Sequence, residues 1–458
     1  PNAPTDTIES VTWGHEWRLG YAKHPPLSAW VSEAAVTLSH KQLWSIYLIS
    51  QLAVVSAFLA VWKLGKELLL SEWQAVLAAM LLEGCYYYSY TSYELNPNVL
   101  ELGIWPWLCF LFWRAVTRGG WRWWLALGAV GAVSMYAKYY SAFLLGPLFL
   151  LLLVTPEGRQ QWKKPALYAA IIVMLALLYP HIQWVVNHHF TTLQYAAGRS
   201  HENFNLWRYL RSPVHFLLAQ LLAVLGGIIM AVYAFRPKRS GFRLPGFRSP
   251  PDFREWFPWA ITFGPLALTL LVALTGRNLD SMWGTPLWGT LGLVFMLNAR
   301  PAVDNETIRR FVKIWSVMFL LALTVFGVQT VAKPGSSQFP GKDIAAALTS
   351  RWHDRFHRKL TIVGGSLWFA GNVGFYSDDR PHMFVDLDTN KSEWLTADDL
   401  RREGGIIVWQ VDGSGFLPAW RRQFPYAEIQ PELDFPWAFR KDKPPFRLGW
   451  AIVPPAMQ

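Results

Sequence analysis

Long apolar runs alternate with short polar segments through the first 332 residues of the chain. A helix needs about 20 mostly apolar residues to cross a bilayer, and runs near that length occur at 43–62, 73–92, 98–115, 165–186, 213–235, 256–275 and 310–332. Two shorter helices are predicted between residues 123 and 154, broken at the sequence AKYYS, and 283–298 is a short span if the helix is tilted. The pattern predicts an α-helical polytopic membrane protein with about 9–11 membrane helices.

The pattern changes near residue 333. LTIVGG at 360–365 is typical of a buried strand, and HMFVDLD and GGIIVWQV follow it with helical or loop segments between them. We therefore predict a membrane domain at residues 1–332, with a first outer loop at 1–42, and a soluble α/β domain at residues 333–458. The glycines of the second domain lack the dinucleotide fingerprint spacing, so no nucleotide site is predicted.

Positive charges mark one side of the membrane. If the first loop faces outward, the inner loops are 63–72, 114–122, 155–164, 236–255 and 299–309, and the outer loops are much poorer in Lys and Arg. The positive-inside rule then places the first loop and the α/β domain on the outer face. The formal net charge of +11 therefore reflects membrane orientation and not a nucleic-acid partner.

Composition agrees with this class of protein. Only 16% of the residues are charged, against about 25% in an ordinary soluble domain, and 27 tryptophans suit many membrane–water interfaces. Cys85 and Cys109 lie inside apolar runs, so neither a disulfide framework nor a thiolate metal site is predicted. The chain begins with Pro and shows no signal peptide, so we expect an upstream segment, such as one more membrane helix, to precede it.

Unusual polar residues gather in the outer segments. The candidates are Asp6, Glu9, Lys23 and His24 in the first loop, Glu94 and Asn96 in the second, Lys138 and Tyr139 at the break between the two short helices, and His188, Arg199 and Arg277 in later loops. Carboxylates near cationic side chains suit activation of an acceptor hydroxyl opposite a phosphate leaving group. We therefore predict a reaction at the outer membrane–water boundary, with a lipid-phosphate donor whose tail lies among the helices.

Each candidate also has a structural interpretation. Asp6 suits a helix N-cap or a solvated loop, HPPL suits the first turn of an interfacial helix, and Lys138 suits snorkelling to the interface. A lysine in so short a break between apolar runs is nevertheless costly enough to indicate a function. His188 and His189 form a weak metal pair because adjacent residues point apart on a helix, so no metal site is predicted.

Three segments carry a resemblance to a known family. DTIESVTWGHEWRLGYAKHPPLSAW resembles the first outer loop of bacterial glycosyltransferase family 39, which includes protein O-mannosyltransferases and lipid A aminoarabinose transferases and has the integral-membrane GT-C fold. YELNPNVLELGIWPW and GAVSMYAKYYSAFLLGP resemble the branch that contains the galacturonic acid transferases of lipopolysaccharide core and lipid A. The similarity extends over most of residues 6–300.

The resemblance implies an inverting transfer of one sugar, galacturonic acid in this branch, from a polyprenyl-phosphate donor to lipid A or lipopolysaccharide core. Asp6 matches the essential first-loop aspartate, the proposed base or acceptor-orienting group, and Glu9 takes the place of a second acid, although many members carry that acid where Thr7 stands here. Lys138 and Arg277 lie in regions where the family places cations near the donor phosphate.

The resemblance also implies a location and a set of partners. It requires no cofactor, and a divalent metal is compatible but not indicated. It predicts a multi-pass protein of the bacterial inner membrane, in contact with membrane lipids, whose active site and C-terminal domain face the periplasm.

Other functions stay open on the sequence. Aminoarabinose or a neutral hexose is open as the sugar, and protein O-mannosylation is the alternative reaction. A lipid-linked sugar flippase would carry inverted repeats and midplane charges, whereas no obvious repeat occurs and the charges lie on one rim. A non-catalytic lipid-binding scaffold is the third class.

Overall fold

The computed structural model describes residues 2–68, 70–198, 206–236, 245–246, 249–276, 278–332, 335–411, 416–439 and 442–456. The helices up to residue 332 are α1 (Thr5–Gly14), α2 (Leu27–Leu38), α3 (Trp44–Glu67), α4 (Glu72–Met80), α5 (Tyr86–Ser89), α6 (Pro97–Arg118), α7 (Trp121–Ala137), α8 (Ala142–Val154), α9 (Pro156–Gln161), α10 (Pro165–Asn187), α11 (Thr191–Ala197), α12 (Leu206–Phe235), α13 (Phe253–Ala273), α14 (Leu291–Ala299) and α15 (Asn305–Ala332). Segments of 3₁₀-helix occur at Leu81–Gly84, Tyr139–Ser141 and Ser281–Trp288.

Six helices within the described residues are long and apolar enough to cross a membrane. They are Trp44–Glu67, Pro97–Arg118, Pro165–Asn187, Arg211–Phe235, Phe253–Ala273 and Asn305–Ala332. These helices confirm the helical spans predicted around 43–62, 98–115, 165–186, 213–235, 256–275 and 310–332. The predicted pair of shorter helices is also confirmed, because α7 ends at Ala137 and the next helical turn begins at Tyr139, which leaves Lys138 in the break.

The predicted span at 73–92 is wrong as a single helix. α4 ends at Met80, and the 3₁₀ turn Leu81–Gly84 and the short α5 follow it. This turn lies directly against α12, because a Cβ atom on Gly84 would stand only 2.3 Å from the backbone nitrogen of Gly227. Small residues allow membrane helices to approach this closely, and the segment bends where the contact occurs.

The short span at 283–298 is likewise divided. Ser281–Trp288 is a 3₁₀ segment that contains Pro286, and α14 begins only at Leu291. Proline lacks the N–H that an α-helical hydrogen bond needs. The apolar composition therefore identified a buried segment but not its conformation.

The C-terminal part is a mixed sheet between helices. Its helices are α16 (Gly341–Phe356), α17 (Leu367–Tyr376), α18 (Ala397–Glu403) and α19 (Phe416–Gln423), and its strands are β1 (Ile362–Gly365), β2 (His382–Val385), β3 (Gly405–Gln410), β4 (Glu428–Ile429), β5 (Leu433–Phe435) and β6 (Phe446–Val453). The strand order is β2-β1-β3-β6-β4, and β5 also pairs with β6. β2, β1 and β3 are parallel, whereas β6 is antiparallel to β3.

Alternation along the strands builds two hydrophobic cores, one on each face of the sheet. In β3, Ile406 and Val408 join the core formed with α16 and α17, while Ile407 and Trp409 join the core formed with α18 and α19. Successive side chains of a strand point to opposite faces. A sheet buried on both faces explains why GGIIVWQV has no polar alternation.

Packing divides the chain into two compact units. The α/β unit comprises Pro1–Ala22, Ser28–Ile46 and Val325–Gln458, and the helical unit comprises Lys23–Leu27 and Tyr47–Thr324. α1 and α2 therefore group with the C-terminal sheet, a feature that composition does not reveal. The structure also shows that residues 1–42, predicted as a loop, contain these two helices, and α2 begins directly after HPP as the sequence indicates.

Close contacts join α1 and α2 to the rest of the α/β unit. A Cβ atom on Gly371 of α17 would lie 2.7 Å from Ile8 of α1, and Arg380 pairs with Glu33 of α2 at 2.7 Å. Burial opposes ionisation of Glu33, but His15, whose Nδ1 lies 3.7 Å from Glu33 Oε1, and the charge of Arg380 together lower the pKa of this carboxyl. The pair therefore stays ionised at neutral pH.

Candidate active site

Asp6 and Glu9 lie on α1, three residues apart, so they occupy neighbouring positions on one side of the helix. Pro4 precedes the helix and provides no side-chain cap, and Asp6 stands in the first turn, where the helix dipole stabilises a carboxylate. Asp6 is partly exposed, whereas Glu9 is buried. Asp6 is therefore the carboxylate of this pair that a substrate can reach with less rearrangement.

A cavity of about 270 Å³ borders Thr5, the residue before Asp6. Three aromatic side chains line it, and the ring centroid of Phe339 lies 5.1 Å from that of Trp368 and 6.4 Å from that of Trp437. Aromatic walls combined with a few polar groups are typical of small-molecule sites. The apolar face of a sugar ring suits such a wall.

Lys138 supplies a fixed cation in the helical unit. Its ammonium donates a hydrogen bond to Asn98 Oδ1 on α6 and lies 5.5 Å from the ring centre of Tyr140. An ammonium group has three donors. Lys138, which is partly exposed, can therefore keep its bond to Asn98 and still donate to phosphate oxygens.

A fully buried carboxylate accompanies this lysine. Glu101 of α6 has 0% exposure, and its Oε1 accepts a hydrogen bond from Ser141 Oγ at 3.0 Å. Ser141 Oγ in turn accepts a hydrogen bond from Trp105 Nε1 at 3.2 Å, and the charge of Lys138 acts on Glu101. Glu101 was not predicted from the sequence, although an acid inside a predicted membrane span is itself a signal of function.

Tyr139 begins a row of side chains that ends at His188. The Tyr139 hydroxyl lies 2.8 Å from His181 Nε2, the His181 ring stacks on Trp184, and Trp184 stacks on His188 with ring centroids 4.4 Å apart. His188 Nδ1 lies 2.7 Å from the carbonyl oxygen of Trp184. The buried His181 was not predicted from the sequence, because its place in this row depends on contact between two helices.

The remaining described candidates of the helical unit are Asn96, Glu94, Lys23 and His24. Asn96 is the N-cap of α6, because its Oδ1 accepts hydrogen bonds from the backbone N–H of Asn98 at 2.9 Å and of the next residue at 3.1 Å. This contact gives Asn96 a structural role. Glu94 is partly buried shortly before the cap, and Lys23 and His24 are partly exposed in the segment that leads into α2.

The structure brings some of the predicted residues into defined clusters. Asp6 and Glu9 belong to the α/β unit, and the described candidates Lys23, His24, Glu94, Asn96, Lys138, Tyr139 and His188 belong to the helical unit. Arg199 and Arg277 lie outside the described residues. Within the described part of the helical unit, Lys138 is grouped with the polar side chain of Asn98 and the buried carboxyl of Glu101.

The helical unit also contains an apolar cavity of about 470 Å³. It lies between α12, α13, α14 and the turn Leu81–Gly84, and its walls include Val224, Trp259 and Phe295. Transfer of a hydrocarbon chain from water to such apolar surroundings is favourable. The cavity is therefore chemically suited to part of a lipid chain.

Comparison with known proteins identifies relatives along almost the whole chain. Residues 23–184 match the family model of dolichyl-phosphate-mannose-protein mannosyltransferase. The chain is 22% identical to the lipopolysaccharide core galacturonosyltransferase RgtA of Rhizobium johnstonii, over 98% of this chain and 92% of that protein. It is also 22% identical to the lipid A galacturonosyltransferase RgtD of the same organism, over 73% of this chain and 66% of that protein.

Solved structures share the fold. The chain resembles ArnT from Cupriavidus metallidurans in its crystal structure bound to undecaprenyl phosphate, with a TM-score of 0.64 and 14% identity, and in its apo crystal structure, with a TM-score of 0.62 and 13% identity. Each alignment covers 100% of this chain and 95% of the other. At this identity the likeness concerns the fold alone.

Proposed function

Because the chain is a multi-pass membrane glycosyltransferase with the GT-C fold, as its resemblance to family 39 predicts and the comparisons confirm, we propose that it transfers galacturonic acid to lipopolysaccharide. The donor in this proposal is a polyprenyl-phosphate sugar, and the acceptor is lipid A or the lipopolysaccharide core. The reaction takes place at the periplasmic face of the bacterial inner membrane.

One observation carries the choice of sugar and acceptor. The match to a lipopolysaccharide core galacturonosyltransferase extends over 98% of this chain, so it includes both the helical part and the C-terminal sheet. Protein O-mannosylation is the second candidate, because the mannosyltransferase family model matches residues 23–184. That match covers much less of the chain and does not include the C-terminal sheet.

Asp6 is the proposed acceptor-activating group. Its carboxylate accepts the proton of the acceptor hydroxyl while the hydroxyl oxygen forms a bond to the anomeric carbon of the sugar. The bond from that carbon to the donor phosphate breaks in the same displacement, with inversion, and polyprenyl phosphate leaves with the bonding electrons. The partial exposure of Asp6 and its place in the first turn of α1 support this role.

Lys138 is the proposed phosphate-binding residue. Negative charge grows on the phosphate oxygen as the sugar departs, and a cation already held in place stabilises that charge without reorganisation. The hydrogen bond to Asn98 holds the ammonium, and the buried Glu101 carboxyl interacts with it electrostatically. Glu101 and Asn98 are thus positioning residues for Lys138, and the apolar cavity of the helical unit is the proposed place for part of the polyprenyl chain.

The aromatic cavity beside Thr5 is the proposed acceptor subsite. Trp368 and Trp437 offer ring faces for a sugar of lipid A or core, and the cavity borders the turn of α1 that carries Asp6. Glu9 is buried on the same side of α1. We propose that it helps to keep the first turn of α1, which carries Asp6, in position. Lys23, His24, Arg199 and Arg277 remain proposed phosphate or sugar contacts, and for Arg277 the resemblance supports this role.

Reconstitution tests this function. Purified full-length protein is mixed with polyprenyl-phosphate galacturonic acid and with lipid A or core acceptors lacking the sugar, and the products are analysed by mass spectrometry. We expect one hexuronic acid residue to be added to a lipopolysaccharide acceptor. Transfer of mannose from polyprenyl-phosphate mannose to a protein, with no transfer to lipopolysaccharide, would favour the second candidate instead.

A further inference from the structure

We propose that His15, Glu16 and His382 form a Zn²⁺ site within the α/β unit. One ligand atom from each of the three residues lies within 4.8 Å of the other two. Two histidines and one carboxylate are a donor set that Zn²⁺ prefers, with a fourth position left for water. No metal site is predicted from the sequence, and the proposed site is separate from the transfer reaction.

Local folding brings the three residues to one place. His15 is the C-cap of α1. Glu16 follows it in a turn, and the backbone N–H of Glu16 donates a hydrogen bond to the carbonyl oxygen of Trp13 at 3.0 Å. His382 is the first residue of β2, the edge strand of the sheet. The ligands thus come from two segments that are far apart in the chain, which is why no ligand spacing is visible in the sequence.

The distances suit a single small ion. Glu16 Oε1 lies 2.9 Å from His382 Nδ1, and the ring centroids of His15 and His382 are 5.1 Å apart. Zn²⁺ holds nitrogen and oxygen ligands at about 2.0–2.2 Å. A modest side-chain movement therefore brings all three ligand atoms to bonding distance of an ion placed between them.

A second carboxylate stands behind one of the ligands. His15 Nδ1 lies 3.7 Å from Glu33 Oε1, and Glu33 is itself held by Arg380 at 2.7 Å. Carboxylates behind metal-binding histidines fix the tautomer and orientation of the ring and raise its basicity. With Nδ1 directed to Glu33, Nε2 of His15 is the nitrogen that binds the ion.

Burial and ligand chemistry favour a transition metal. The Glu16 side chain is 6% exposed, His15 is 27% exposed and His382 is 48% exposed, so the carboxylate is enclosed and the histidines leave one side open to solvent. Imidazole suits zinc and related metals, whereas Ca²⁺ and Mg²⁺ take oxygen ligands. A bound ion would tie the end of α1 to the edge of the sheet and stabilise the α/β unit.

Metal titration of the full-length protein tests the site. Tag-free protein in detergent is stripped with EDTA, and Zn²⁺ is added in competition with a chromophoric chelator. We expect one high-affinity Zn²⁺ per chain and a rise in melting temperature. His382→Ala and Glu16→Gln should each weaken this binding by at least about tenfold, the loss expected when the ligand set is broken.

His353→Ala provides a matched control. His353 is also in the α/β unit, is 45% exposed and bonds a carboxylate, Asp379, at 2.7 Å, but among the described residues this pair has no third metal-binding side chain close enough to complete a site, and it should bind no zinc. Its removal should leave the high-affinity site intact. Absence of tight Zn²⁺ binding in the unchanged protein, or equal binding in all four proteins, would overturn the proposal. The melting curve of each metal-free variant shows whether it is folded. If His382→Ala does not fold, the Zn²⁺ affinity of Glu16→Gln decides whether the site exists.

Discussion

At the scale of single residues, Lys138 is distinguished by the groups that hold it. Asn98 accepts its hydrogen bond, Tyr140 presents a ring face to it, and the buried carboxyl of Glu101 interacts with it electrostatically. A lysine that only snorkelled to the interface would need none of these partners. The arrangement favours a cation kept in one position for an anionic ligand.

Replacing Lys138 by Met should slow sugar transfer by about 100-fold or more, because removal of one preorganised charge-stabilising group typically has that effect. The measurement is the initial transfer rate of the purified variant at saturating donor and acceptor. Lys342→Met is the control, since the Lys342 ammonium also lies over a tyrosine ring, that of Tyr376, at 5.8 Å. An unchanged rate in Lys138→Met would remove this residue from the mechanism.

Replacing Trp368 by Ala should raise the KM for the acceptor and leave the KM for the donor unchanged, because the proposed sugar-stacking face is lost. Trp368→Phe retains an aromatic face and should recover most of the acceptor affinity. Steady-state kinetics with each substrate varied in turn separates the two effects. Equal acceptor KM values in the unchanged protein and in Trp368→Ala would exclude this cavity as the acceptor subsite.

The sequence predicts individual candidate residues but not the partners that surround them. Lys138 stands out from the sequence because a lysine interrupts an otherwise apolar region, whereas Asp6 stands out through the resemblance of the first loop to family 39. The link between Lys138 and Glu101 was not visible, because it depends on the approach of α6 to the break after α7. Asn96 was predicted to bind substrate, and its observed bonds show that it caps a helix.

At the scale of secondary structure elements, apolar length predicted the continuous helices and failed where backbones touch. The failure at 73–92 centres on Gly84, whose contact with Gly227 depends on a helix more than a hundred residues later in the chain. No local pattern encodes that contact. The α/β part was easier to anticipate, because buried strands such as GGIIVWQV have a characteristic composition.

Gly84→Leu should destabilise the helical unit, because even a Cβ at this position would meet backbone atoms of α12 at 2.3 Å. Overpacking of a well-packed interior costs about 1–3 kcal/mol, and a clash with backbone cannot be relieved by side-chain rotation. Thermal unfolding in detergent should show a lower melting temperature. Gly327→Leu is the control, since nothing lies within 4 Å of a Cβ built there; equal melting temperatures for the two variants would contradict the close packing.

At the scale of the whole molecule, the relation between sequence and architecture is less direct. The α/β unit combines both ends of the chain, and the ion pair of Glu33 with Arg380 joins residues separated by 347 positions. A composition boundary near residue 333 cannot reveal such pairing. Fold class and enzyme class were nevertheless accessible, because the membrane pattern and the first-loop motif are continuous in sequence.

The proposed orientation can be tested with introduced cysteines. Both natural cysteines, Cys85 and Cys109, are buried, so they should give little background. In intact spheroplasts, a membrane-impermeant maleimide should label Thr389→Cys, an exposed position of the α/β unit, and should label Arg159→Cys, an exposed position of α9, only after permeabilisation. The opposite pattern would reverse the orientation that the positive-inside rule predicts.

The most direct test of the proposed reaction is the transfer rate of Asp6→Asn, measured with purified protein, polyprenyl-phosphate galacturonic acid and a lipopolysaccharide acceptor. Asp343→Asn, which changes another first-turn aspartate of the α/β unit, controls for the effect on a helix terminus. We predict that Asp6→Asn remains folded and loses about 100-fold or more of its activity, the size expected for a lost general base, while Asp343→Asn keeps its activity. Transfer by Asp6→Asn at the rate of the unchanged protein would exclude Asp6 as the acceptor-activating group.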